Sequence, residues 1–129
     1  MNDNRNSQNG SATLEFALGV ALVLMPLLLG MVDFSRYLSV DHTISRAAHE
    51  GAFMAARGAD PSQTVRNYVS QAGLDAAKVT VSTSPPLLTS TRGEAMKVTV
   101  SYDLTSYALV SWGALFPQGI SAAAIARHE

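Results

Sequence analysis

Gly10-Ser11-Ala12-Thr13-Leu14-Glu15-Phe16 opens an apolar run that continues to Val32. Coiled as an α-helix at ~1.5 Å per residue, residues 11–32 reach roughly 33 Å, close to the ~30 Å hydrocarbon thickness of a bilayer. The stretch reads as a transmembrane helix. Its one ionisable side chain is Glu15, one turn from the N-terminal end. A charge costs a few kcal/mol at the centre of such a span and less toward the interface. Such a residue needs a reason, and one is a place near the interface, where the positive end of the helix dipole favours it.

Residues 1–10 are polar, and Arg5 is their one basic side chain. A secretory signal would place small residues after the apolar run to mark cleavage; here Met31-Val32-Asp33-Phe34 follows, so the segment is expected to remain as an anchor. Arg5 and the N-terminal amine precede it, and long domains translocate largely irrespective of charge. This places the N-terminus in the cytoplasm and the rest outside, although Asp3 offsets Arg5. Inside the span Pro26 removes one backbone hydrogen bond and should kink or loosen the helix. Ala17 and Ala21 form a small-xxx-small pair that admits another helix at close range.

Once residues 1–10 are taken as leader and 11–32 as anchor, residues 33–129 remain for one small external domain. The net charge of −1, with both signs dispersed, provides no basic stripe for nucleic acid. The chain has no cysteine, which excludes a disulfide framework, a zinc ribbon and a thiol nucleophile.

No proline or strong turn interrupts the chain from Asp33 to Gly58, and Phe34, Tyr37, Leu38, Asp41, Ile44, Ser45 and Ala48 fall at near-helical spacing. The anchor helix is expected to continue outward. Ala47, Ala48, Gly51, Ala52, Ala55 and Ala56 mark a face approached closely by a sheet of the same chain or by a neighbouring subunit. Arg57-Gly58 predicts the helix end, the glycine taking the left-handed cap. Asp60-Pro61-Ser62-Gln63 then reads as an N-cap, a proline at the first helical position and a capping-box glutamine. The second helix buries Val65, Tyr68, Val69 and Ala72, and Gly73 stops it.

Beyond it the period changes to two. Residues 78–83 and 96–104 alternate as half-buried strands, the second facing inward with Met96, Val98, Val100, Tyr102 and Leu104. Pro85-Pro86 and Thr91-Arg92-Gly93 lie in the connection. Residues 107–116 are apolar but too short to cross a bilayer, and form either a core segment or a contact patch. Residues 120–127 are a strand or, given Ala122-Ala123-Ala124, a helix. The expected fold is α+β: a long N-terminal transmembrane helix extending into an external domain with a second short helix and a three-stranded antiparallel sheet.

Several chemistries find no support. His42 and His49 are seven apart without a third or fourth ligand, whereas helical metal pairs favour three- or four-residue spacing. Arg46 and Glu50, four apart, suit a solvated face and add a few tenths of a kcal/mol. Ser111-Trp112-Gly113 lacks the glycine arrangement of a nucleophile elbow. No enzyme activity, metal or other cofactor is expected.

Gly10 followed by four residues and then Glu15-Phe16, opening an apolar helix, resembles the processing site of type IV pilin-like proteins of the tight-adherence (Flp/Tad) branch. The TadE-like pseudopilins are the most similar family, also through Val32-Asp33-Phe34-Ser35-Arg36, Ala47-Ala48-His49-Glu50-Gly51-Ala52 and the ending Ala126-Arg127-His128-Glu129. The resemblance covers the first 57 residues well and the sheet half loosely. It implies cleavage between Gly10 and Ser11 by a prepilin peptidase, and a role in assembly for Glu15 and Phe16, the carboxylate pairing with the N-terminal amine of a neighbouring subunit. Pro26 would let the helix adapt on leaving the bilayer. It further implies other Tad pilins or pseudopilins, an inner-membrane platform and membrane lipid as partners. The location implied is the inner (cytoplasmic) membrane, single-pass, with incorporation into a surface pilus left open. The alternative is an uncleaved single-pass protein whose external domain binds a ligand or partner.

Overall fold

The structure, a computed structural model, describes the backbone of residues 4–86, 91–105 and 117–127, with side chains from Gly10 onward. The expected apolar segment at 107–116 lies outside the described residues. Helix α1, Asn4–Ala56, runs for 53 residues, a rod of about 80 Å. It begins seven residues earlier than the first residue assigned to the anchor. Pro is absent from its first turns, so nothing blocks the helix there. Asn6, Ser7, Asn9 and Gly10 nevertheless have poor helix propensity, which makes this the least intrinsically stable part of the rod. Pro26 lies inside α1 and does not end it.

Burial changes abruptly along α1. Residues 10–29 are all exposed, whereas Asp33, Val40, Ile44, Ala47, Ala48, Gly51, Ala52 and Ala55 form a buried stripe. The spacing is helical and takes in Ile44 and Ala48, whereas Phe34 and Leu38, at near-helical spacing with them, remain 52% and 40% exposed. The small residues set the phase because they face the sheet, and following that face back along the helix leads to Val40 and Asp33. The outer end of α1 closes as expected, with Gly58 at φ 74°. The Gly58 N–H donates to Ala55 C=O at 2.9 Å and the Ala59 N–H to Met54 C=O at 3.1 Å, the pairing of a Schellman cap.

Helix α2, Pro61–Gln71, starts at the predicted proline, and the Asp60 carboxylate accepts from the Ser62 N–H at 2.9 Å. Its buried residues are Pro61, Val65 and Val69; Tyr68 is only half-buried and Ala72 is exposed, contrary to the expected face. The short helix offers the core a narrow stripe, and positions 68 and 72 fall at its margin. A single 3-10 turn, Ala76–Lys78, leads into the sheet, so Lys78 belongs to the turn rather than to the first strand.

Strands β1, Val79–Ser84, β2, Ala95–Asp103, and β3, Gly119–Arg127, form an antiparallel sheet in the order β1-β2-β3. The final segment is thus a strand, despite its alanines. Ala122, Ala124 and Ala126 stand opposite Val100, Val98 and Met96 on the inward face, and α1 packs across β2 and β3 while α2 packs on α1. Larger side chains at the alanines would hold the helix away from the sheet. Tyr102 is buried in this core, and its hydroxyl accepts from the Asp75 N–H at 3.4 Å, tying β2 to the turn before β1. The Leu104 N–H donates to Gln118 C=O at 2.9 Å, joining the chain just beyond β2 to the start of β3.

The tightest point is Gly51. A Cβ there would meet Val65 Cγ2 at 2.8 Å and Val98 Cγ1 at 3.4 Å, so α1, α2 and β2 converge on a position with no side chain. Because valine rotamers are stiff, relief requires backbone movement. Gly51→Ala should destabilise the domain by about 1–3 kcal/mol, whereas Gly19→Ala, with nothing within 4 Å, should leave it unchanged. Thermal unfolding of the detergent-solubilised chain checks this; equal transitions for the two variants would contradict the close contact.

The Asp60 cap yields a pH dependence. The Ser62 backbone N–H, and secondarily its hydroxyl, hold the Asp60 carboxyl below its ordinary value of 3.8. A carboxylate with a lowered folded pKa contributes stability above its unfolded value and loses it as pH falls through the folded value. Asp60→Asn keeps an acceptor but no charge, so it should be slightly less stable than the parent at neutral pH. The difference should close as pH drops below 3.8; a gap independent of pH in urea titrations would refute the charged cap.

Candidate functional site

The residues singled out at the N-terminal motif lie on one continuous helix. Gly10, Ser11, Glu15, Phe16 and Pro26 are all exposed, and Ser11 and Glu15, four apart, share a face of α1. Gly10 is helical rather than extended. Further along, Phe16, Val20, Val23 and Leu24 surround the bare backbone of Gly19 and line a shallow, almost wholly apolar groove of about 420 Å³. Their spacing of three and four residues makes them one stripe.

The larger observation is the extent of uncovered apolar surface. Leu14, Phe16, Leu18, Leu22, Val23 and Met25 are each 64–74% exposed, and an apolar window of α1 has none of its surface buried by the rest of the fold. Water would oppose this by roughly 1.5–3 kcal/mol per large side chain, and contiguous apolar patches of such size mark membrane or protein contact. The helix is long and apolar enough to cross a membrane. The groove beside Gly19 suits close approach of another helix, since helices in lipid associate through small residues.

On the outer half of α1, His42 and His49 are exposed. The His49 Nδ1–H donates to Ser45 C=O at 2.8 Å, one turn back, which assigns the proton to Nδ1. Among the described residues no three His, Cys, Asp or Glu side chains gather in a manner able to hold a metal. The two histidines instead border neighbouring grooves between α1 and α2 with Arg46 and Tyr68.

Asp33 carries a role that spacing alone did not reveal. It is 6% exposed, is engaged in an interaction, and begins the same stripe that holds Ile44 and Ala48 against the sheet. A buried carboxylate is retained only when paired or hydrogen-bonded. The available sequence signal was its position: a charge at the first residue after the apolar run, in helical phase with the small residues. Asp33 therefore lies on the covered face of α1, at the point where the helix leaves its apolar segment.

Residues 10–52 match the family described as TadE-like protein. The match starts at Gly10 and runs through Glu15-Phe16 and Asp33 to Ala52, about a third of the chain, leaving α2 and the sheet outside. No curated protein and no solved structure matches the chain. The family match and the long apolar helix fit a membrane protein associated with a Tad pilus, and this family is one of pilus components not known as enzymes.

Asp33→Ala should lower domain stability by about 1–3 kcal/mol, the loss associated with a hydrogen-bonded charged group, with Asp33→Asn intermediate. Ser35→Ala, at an exposed neighbour, should have no effect. Near-ultraviolet circular dichroism melts distinguish them; coincident melts for Asp33→Ala and Ser35→Ala would remove Asp33 from the fold's determinants.

Proposed function

We propose that this chain, TadE-like over residues 10–52, is a minor pilin or pseudopilin that serves as a structural or assembly component of a Tad (Flp) pilus secretion apparatus. The observation that carries this reading is the uncovered apolar half of α1, headed by Gly10, Glu15 and Phe16 and joined without a break to a folded domain. Residues 1–10 act as a cytoplasmic leader, 11–32 as a single span of the cytoplasmic membrane, and 33–129 as the external domain.

A prepilin peptidase cuts between Gly10 and Ser11. A protease reads an extended backbone, so the helix must open locally at Gly10; the weak helix formers on its N-terminal side make that opening inexpensive. Cleavage frees an amine at Ser11. Glu15, one turn farther on, pairs with the equivalent amine of a neighbouring pilin or pseudopilin in the apolar phase, where an unpaired carboxylate is disfavoured. Phe16 packs beside that junction, and Pro26 eases adjustment as the helix moves from lipid into an assembly at the inner-membrane platform.

The helical geometry of Gly10 favours a second reading, an uncleaved single-pass protein whose external domain binds a partner. Co-expression with a cognate prepilin peptidase separates the two by intact mass and N-terminal sequencing. Processing predicts a chain starting at Ser11 only when peptidase and Gly10 are both present, with Gly10→Ala left whole. Glu15→Gln should still be cut but should fail to co-purify with its pilin partners. An intact N-terminus under verified peptidase activity would exclude processing, and undiminished co-purification of Glu15→Gln would exclude the pairing.

A further inference from the structure

An open groove of about 780 Å³ lies between α1 and α2, directly above the apolar half of α1. Ser35, Ser39, His42 and Arg46 line it from α1, and Tyr68 and Gln71 from α2. These side chains supply hydroxyl, imidazole, guanidinium and amide donors, and no carboxylate is among the described residues that line it. Glu50 stands in the adjoining groove, which His42, Arg46 and His49 also border.

The position of the groove matters as much as its charge. Counted from Val32 at ~1.5 Å per residue, Ser35 and Ser39 stand about 4.5 and 10.5 Å above the apolar segment, with His42 and Arg46 one to two turns higher. The polar headgroup layer occupies roughly the first 5–8 Å beyond the hydrocarbon. At about 15 and 21 Å His42 and Arg46 stand above that layer, and because helical side chains lean toward the N-terminus they point back toward Ser39. Below the groove, Leu24, Leu28 and Met31 are exposed in helical phase with Ser35, and Leu38, 40% exposed, continues the apolar line into the groove itself. An apolar track leads from the span into a pocket of donors.

We infer that this groove binds the phosphate headgroup of an anionic phospholipid from the leaflet facing the domain. An acyl chain lies along Leu24, Leu28 and Met31, the phosphate meets the Ser35 and Ser39 hydroxyls, and His42 and Arg46 provide the donors and positive charge above it. The inference rests on the reading that residues 11–32 cross a bilayer. A phosphate ion in solution has the same head chemistry, but it would make no use of the apolar track.

The test uses the full-length chain in detergent micelles, with retained lipid counted by native mass spectrometry during titration with phosphatidylglycerol or phosphatidylcholine. Phosphatidylglycerol should be retained at least about five-fold more strongly, the effect of one basic side chain near an anionic surface. The preference should fall about five-fold in His42→Gln/Arg46→Gln, which keeps the exposed Arg36 near the headgroups, persist in Arg66→Gln on the exposed side of α2, and resist millimolar inorganic phosphate. Equal retention of the two lipids, an equal loss in Arg66→Gln, or displacement by inorganic phosphate would each overturn the lipid assignment. Circular dichroism verifies that the variants fold. Alkaline extraction of membranes checks the span separately: release of the chain into the soluble fraction would overturn the membrane reading together with this site, whereas retention with no lipid preference would overturn the site alone.

Discussion

The close approach of α1 to β2 and β3 is the contact on which the rest of the fold depends. Backbones come this near only where side chains are small, and the chain supplies them from both sides: Ala47, Ala48, Gly51, Ala52 and Ala55 on the helix, Ala122, Ala124 and Ala126 on the third strand. Val65 from α2 fills the remaining space over Gly51. Helices in water seldom gain much from propensity alone, so α1's outer half is held by this packing. Its inner half has no such partner among the described residues and depends on an apolar environment instead. One helix is thereby stabilised in two different ways along its length.

Much of this is legible in the sequence. The length of the apolar run, the Asp60-Pro61 helix start, the glycines at 58 and 73, and the period-two alternation of residues 96–104 each reflect a local rule that tertiary context did not override. The phase of the buried stripe was less legible. Phe34 and Leu38 attract attention because they are large, yet the sheet selects for small residues, and the true face follows those. The last strand was ambiguous for the same reason. Alanine has low strand propensity, but strand propensity chiefly measures packing, and here packing demanded a small side chain. Asp33 escaped notice as a structural residue because a single charge next to an apolar run ordinarily reads as a boundary.

The candidate site divides similarly. Gly10, Glu15 and Phe16 stood out through a pattern that joins leader, charge and apolar helix, and the family match begins at Gly10. Their geometry adds that the motif lies in regular helix, with low-propensity residues on its N-terminal side. The groove between α1 and α2 was invisible to sequence reasoning, since it needs residues about 30 positions apart to meet across two helices. His42 and Arg46 had looked like an ordinary solvated face; their shared setting with Tyr68 and Gln71 emerges only from the fold.

The unbroken course of α1 through Asp33 also makes the apolar segment and the sheet-bearing half turn as one body. An α-helix turns by about 100° for every 1.5 Å of rise. With no loop between the apolar segment and the sheet-bearing half, a subunit that screwed upward by a single residue would swing its domain through more than a quarter of a circle. A ratchet that raised the helix without rotation would keep every domain facing the same way. Rotation of the apolar segment about its own axis is thus read out directly as the heading of the domain.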